Sequence, residues 1–242
     1  IAIINGVIKV GLEDETLKEL STGRNIRKLS RADLAHCLLK KETGSTTVAA
    51  TMIIADLAGI KIFATGGIGG VHKFAEKTFD ISADLQELAK TGISVVCSGP
   101  KAILDIPKTL EFLETLGVPV ITFGQTYLPA FWSSDSPFIS PLSLNDPCLI
   151  AKSHEIRKEL GLSGGQLIAN PISKKDQIPF EKMEPIIMDA VKSANEQNII
   201  TKELTPFVIS RINELTKGKS LLANIALIKN NAKLASQIAL CF

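Results

Sequence analysis

The chain has 242 residues, 45% hydrophobic and 21% charged, with a formal net charge of +2. That length suits one α/β domain whose core buries roughly 70–75% of the unfolded surface. The near-neutral balance predicts no basic face for a nucleic acid polymer, and no apolar run is long enough for a membrane span.

Residues 1–4 and 7–10 are short apolar runs joined by Asn5-Gly6, a strong hairpin signal. Residues 13–20 read as a helix with acidic residues in its first turn, closed near Gly23. Ser30 caps a second helix over residues 31–40, with Leu34, Cys37 and Leu38 at helical spacing. Residues 44–59 read as a glycine turn opening a nearly all-apolar, hence buried, helix. A strand over 60–64 leads to a glycine-rich loop and a helix around 74–77. Then follow a helix over 84–90, a buried strand over 93–97, a helix over 107–116 and a strand over 118–123. Residues 124–146, with the sole Trp132 and Tyr127, are too irregular for an element and read as a lid or a subunit contact. Asn145 or Asp146 caps a helix running to Leu160; residues 166–169 form a strand, and 180–197, 205–215 and 221–241 are helices. Strand–helix alternation predicts a three-layer α/β/α sandwich with a mixed, largely parallel sheet covered on both faces. Without repeat or linker, residues 1–242 read as one domain.

Cys37, Cys97, Cys148 and Cys241 form no C-x-x-C and meet no histidine cluster, so they read as buried free thiols in a reducing compartment rather than a zinc site. The first residues lack the basic region of a signal peptide. The abrupt apolar start without Met fits a fragment.

Three strings place polar groups after apolar runs: KIFATGGIGGVH (61–72), TFDISADLQELA (78–89) and VVCSGPKAILDI (95–106). In an open α/β sheet, strand C-termini converge on one crevice. Lys101 follows the strand over 93–97. Burial disfavours its ammonium, by up to ~3–5 pKa units when complete, and a neutral amine there can form a Schiff base with a carbonyl. The plainer alternative is a solvated lysine. Asp80, Ser82 and Asp84 would share one side of an extended segment and invite a divalent cation or acid and base roles. Ser82 or Asp84 serves equally as a helix cap; Asp80 is too far upstream for that. The loop over 66–72 is neither the dinucleotide fingerprint nor a P-loop. Its N–H groups either face an anion or close a tight turn. His72 beside it is a site residue or a structural imidazole. The Gly44-to-Val48 helix start offers a phosphate site with Lys28, from the basic stretch Arg24 to Lys28, as countercharge; an ordinary cap beside a solvated stretch is the other option. Asn224, inside the apolar last helix, needs a partner, either a ligand amide or a backbone carbonyl.

The order ATGGIGGVH, FDISADLQELA, CSGPKAILDIPKTLEFLETLGVPV, ANPI, TPF and LLANIALIKNNAKLA resembles the pseudouridine-5'-phosphate glycosidase family (indigoidine synthase A-like), from Val7 to the C-terminus. The resemblance implies an α/β/α fold, a homotrimer and a cytoplasmic or organellar enzyme of pseudouridine catabolism. It implies reversible cleavage of the C–C bond of pseudouridine 5'-phosphate to uracil and ribose 5-phosphate, with Mn2+ in the site and a functional link to a pseudouridine kinase. By the same resemblance Lys101 forms the Schiff base with C1 of the opened ribose, and Asp80 holds the metal largely through water. Ser82, Ala83 and Asp84 contact substrate, with Asp84 also a proton shuttle. Lys28 and Val48 meet the sugar phosphate, His72 lies near the sugar and Asn224 reads the uracil. The sequence departs from the family in two places. The few dozen residues that carry its glutamate acid do not precede Ile1, and Pro100 replaces a small or aliphatic residue, which is expected to shift the lysine. The first departure leaves a degenerate sugar-phosphate-binding homologue as the alternative. A third reading is another Schiff-base lyase, such as an aldolase.

Overall fold

The computed structural model describes all residues except Arg24, Asn198 and residues 200–203, with only the backbone described for Asn195 and Thr205. The chain opens on the expected hairpin, β1 (Ala2–Ile4) paired antiparallel with β2 (Val7–Lys9). Asn5 and Gly6 turn it at φ 49° and 74°, the left-handed pair that a two-residue hairpin turn requires.

After α1 (Asp14–Thr22) come β3 (Arg27–Leu29), a 3-10 turn at Arg31–Asp33, α2 (Leu34–Leu39) and β4 (Gly44–Thr46). Arg27 and Lys28 of the basic stretch belong to β3, with Lys28 exposed, while Arg24 lies outside the described residues. One expectation is corrected here. The supposed glycine turn is a strand: β4 runs parallel to β3, with Lys28 beside Ser45, and antiparallel to β1. Gly44 is required by close approach, since a Cβ there would stand 2.6 Å from the Leu29 side chain. The resulting small sheet has the order β2-β1-β4-β3.

The main body continues through α3 (Val48–Leu57), β5 (Ile62–Ala64), α4 (Ala75–Thr78), α5 (Ala83–Lys90), β6 (Ser94–Cys97) and α6 (Ile106–Thr115). It proceeds through β7 (Val120–Phe123), β8 (Leu142–Leu144), α7 (Pro147–Glu159) and β9 (Gln166–Ala169), and ends with α8 (Phe180–Glu196), α9 (Leu204–Leu215) and α10 (Lys219–Ala239). The second sheet, β5-β6-β9-β7-β8, is parallel throughout.

Strand alternation separates its two faces. Val95 and Cys97 of β6 pack with Met52, Leu85 and Leu113 from α3, α5 and α6. Val96 between them packs with Ile150, Leu234 and Ile238 from α7 and α10. The α/β/α layering follows. Each fully buried valine contributes roughly 1.5–3 kcal/mol, which is why these strands carry no polar face.

Residues 124–146, expected to hold no regular element, end in β8, and their middle packs into the body instead of standing free as a lid. Leu128, Phe131, Trp132, Ser133, Ser134 and Ser136 are buried, and the serine hydroxyls bond backbone or Gln177. Phe131 and Trp132 meet edge to face in a cluster with α8, α9 and α10. The cysteine reading also needs correction. Cys148 and Cys241 form a disulfide across a separation of 93 residues, while Cys37 and Cys97 are free and buried. Burial pushes the Cys97 thiol up to about 12, so it stays protonated. No helix among the described residues is long and apolar enough to cross a membrane.

Candidate active site

A cleft of about 690 Å³ opens at the C-terminal ends of the parallel strands, against the small sheet. Its wall contains all nine residues given catalytic, substrate or metal roles: Lys28, Val48, His72, Asp80, Ser82, Ala83, Asp84, Lys101 and Asn224. A wider hollow of about 790 Å³, between β1, α1 and β3, contains none of them.

The glycine loop earns its composition by close approach. A Cβ on Gly67 would stand 2.6 Å from the Phe131 ring, and one on Gly69 would stand 2.1 Å from Ser82 Oγ. Four of the loop's N–H groups are taken within the protein and do not face an anion. Ile68, Gly69, Val71 and His72 donate their N–H groups to Gly99 O, Asp84 Oδ2, Thr109 Oγ1 and Asp80 O.

Asp84 is the joint of the site. It is 4% exposed; Oδ1 accepts from Ala49 N–H and Oδ2 from Gly69 N–H, each at 2.8 Å. One carboxylate thereby fastens the start of α3 to the glycine loop, and neither of these partners is near it in sequence. Ser82 caps α5 by accepting from the Asp84 N–H and still borders the cleft.

Lys101 is held by its own N–H, which donates to Ile68 O at 3.0 Å. The missing N–H of Pro100 therefore leaves no gap in the Ile68–Pro100 bridge. Gly99 supplies φ 88° where a Cβ would strike Pro129 O at 2.5 Å. Pro100 thus sits in a strand-end turn that keeps the lysine in the cleft. Burial lowers the affinity of Lys101 for its proton; Asp84 opposes this and the Lys28 ammonium reinforces it.

His72 is held low by burial, against the pull of Asp80 and with a push from Lys101 and Lys28. Its Nδ1 lies 3.8 Å from Asp80 Oδ2, and the Asp80 side chain is 41% exposed. The described residues hold no cluster of three His, Cys, Asp or Glu side chains. Asp80 and His72 fit a Mn2+ only if water or substrate oxygens complete most of its shell.

At the far end, Thr47 caps α3, and its hydroxyl, Ser45 and Lys28 line the cleft together. Asn224 Oδ1 is buried and without a hydrogen-bond partner. Such an orphan is costly, and a donor on a bound molecule would satisfy it after a small side-chain rotation. Sequence reasoning missed Thr65 and Phe131, which also line the cleft. Thr65 directly follows β5, a position that could have flagged it, whereas Phe131 takes its place through a left-handed backbone at φ 58° that no sequence pattern marks.

The sequence matches the family described as indigoidine synthase A like protein over residues 1–241. It is 59% identical to the pseudouridine-5'-phosphate glycosidase of Paracoccus denitrificans (strain Pd 1222) over 99% of this chain and 79% of that one. Identity to the enzyme of the same name in Geobacillus kaustophilus (strain HTA426) is 52%, again over 99% and 79%. Among solved structures, the prealnumycin C-glycosynthase AlnA in complex with ribulose 5-phosphate superposes with a TM-score of 0.92 at 32% identity, covering 99% of this chain and 79% of that one. An indigoidine synthase A-like protein of Thermotoga maritima superposes with a TM-score of 0.90 at 31% identity, over 98% and 78%.

Proposed function

Because the chain belongs to the indigoidine synthase A-like family, we propose that it is a pseudouridine-5'-phosphate glycosidase that works through an imine on Lys101. The observation that carries this reading is the desolvated amine of Lys101 in a cleft that also presents a cation, hydroxyls and an orphaned amide oxygen.

The 5'-phosphate takes the end of the cleft made by Lys28, Ser45, Thr47 and the start of α3, where a positive charge and a helix N-terminus favour an anion. Asn224 faces a uracil N–H at the other end. Binding energy from both ends holds C1' at Lys101.

The neutral amine adds to C1' as the ring C–O bond opens and the ring oxygen takes a proton. The nitrogen lone pair then forms the C1'=N bond while the bond from C1' to uracil C5 breaks. Its electron pair passes into the pyrimidine, whose C5 has gained a proton. Water hydrolyses the imine, releasing ribose 5-phosphate and restoring the amine. Asp84, whose oxygens both accept, is suited to take the proton that Lys101 sheds. Asp80 with His72 would hold Mn2+, which supplies positive charge beside the sugar oxygens when bound.

The homotrimer would cover exposed apolar residues such as Leu222 and Ile225 on α10, and sedimentation velocity tests it. The activity test is uracil release from pseudouridine 5'-phosphate, with and without Mn2+, followed by chromatography. Release supports the reading. Tight ribose 5-phosphate binding with no release would instead favour a sugar-phosphate-binding homologue.

A further inference from the structure

Below the Lys101 segment lies a buried amide that the reaction above does not use. Asn231, on α10, is fully buried. Its Nδ2 donates to Thr65 O at 2.9 Å and to Ser98 Oγ at 3.1 Å. Its Oδ1 accepts from Asn170 Nδ2 at 3.1 Å and lies 3.3 Å from Ser98 Oγ. Thr65, Ser98 and Asn170 are the residues that directly follow β5, β6 and β9. One amide therefore ties together the C-terminal ends of three adjacent strands, at the level where the cleft begins.

The tie lies close to the proposed chemistry. From Ser98 the chain passes through Gly99 and Pro100 to Lys101, and Ser98 O also accepts from Phe131 N–H at 3.0 Å. Two helical turns before Asn231, about 10 Å along α10, Asn224 reaches the cleft from the same helix. An apolar side chain at this helix–sheet contact would be buried without needing partners. Asn231 instead makes four polar contacts whose geometry admits one arrangement.

We propose that Asn231 is a positioning residue: it fixes where the Lys101 segment leaves the sheet and, through α10, sets Asn224 against the same cleft. The catalytic part of this inference rests on Lys101 being the nucleophile; the geometric part does not. Asn231→Asp keeps the size and can still accept from Asn170 and Ser98, but when ionised it cannot donate to Thr65 O, so the variant is read at a pH high enough to ionise it.

The substrate-free readout is reductive methylation of the full chain with formaldehyde and cyanoborohydride. The initial rate at Lys101 is divided by that at Lys108 in the same molecule, by peptide mass spectrometry. In Asn231→Asp this ratio should change by about fivefold or more, and kcat per folded site should fall about 10²-fold with KM within about threefold, as a displaced reacting group predicts. Asn230→Ala, which loses only a bond to Pro171 O, should leave the ratio within about twofold. If Asn231→Asp fails to fold, Ser98→Ala, which keeps the ties to Thr65 and Asn170, should change the ratio by more than the twofold allowed for Asn230→Ala, and an unchanged ratio there overturns the proposal. A ratio unchanged in the folded variant, or changed as much by Asn230→Ala, overturns the proposal. A changed ratio in a wild-type background that releases no uracil removes the glycosidase reading and leaves the positioning role standing.

Discussion

Lys101, in the cleft, and Lys108, on the outer turn of α6, are separated by a short piece of chain and meet opposite surroundings. Lys108 Nζ bonds Glu76 at 2.8 Å and Asp105 at 3.2 Å, and these partners raise its hold on the proton. Lys101 has lost water and gained only the more distant Asp84, with Lys28 working against it, so its ammonium is disfavoured. The first is a surface ion pair, screened by solvent and worth little. The second is the amine proposed to form the imine. Residue type and neighbouring sequence do not separate the two; the end of a buried parallel strand does.

The largest effect that would sharpen this contrast is loss of the amine. Lys101→Ala should reduce uracil release by on the order of 10⁴-fold or more, as removal of a nucleophile does elsewhere. A smaller but more informative change is Asp84→Asn. One of the two N–H groups loses its acceptor, at about 1–3 kcal/mol, and turnover should fall by roughly 10²-fold with the lost proton acceptor. Its pH profile has a definite sign. Asp84 favours the ammonium of Lys101, so its removal should move the acid limb of imine formation to lower pH. Lys28→Gln should do the reverse, because Lys28 disfavours that ammonium; the limb moves to higher pH. KM for the phosphorylated substrate should rise about tenfold with the lost charged contact. Shifts of both limbs in one direction would break the account of Lys101's surroundings. Last, Lys108→Ala should leave kcat within about twofold, as expected of a surface substitution.

Much of this was legible in the sequence where a local signal exists. Asn5-Gly6 specifies its turn by backbone preference alone. The runs ending at Ala64, Cys97 and Ala169 declare parallel strands by being mostly apolar, with Ser94 and Gln166 the polar exceptions. The nine candidate residues, chosen because they follow such runs or match the family's strings, line one cleft. Features made by distant partners were not legible. β3 and β4 are three residues each and exist through pairing across the chain. The serines of residues 124–146 look solvated until their hydroxyls are seen to bond backbone. Asn231 cannot be told from Asn230 by pattern, although one is fully buried and the other is not. Asp84 looked like a cap or a shuttle; its grip on Ala49 and Gly69 is a tertiary fact.

The most direct measurement incubates the protein with ribose 5-phosphate, reduces it with borohydride and maps the adduct by peptide mass spectrometry. The account predicts a single stable ribityl phosphate adduct on the peptide containing Lys101, absent in Lys101→Ala. An adduct on Lys28 or Lys108 instead, or none while uracil is still released, would contradict it.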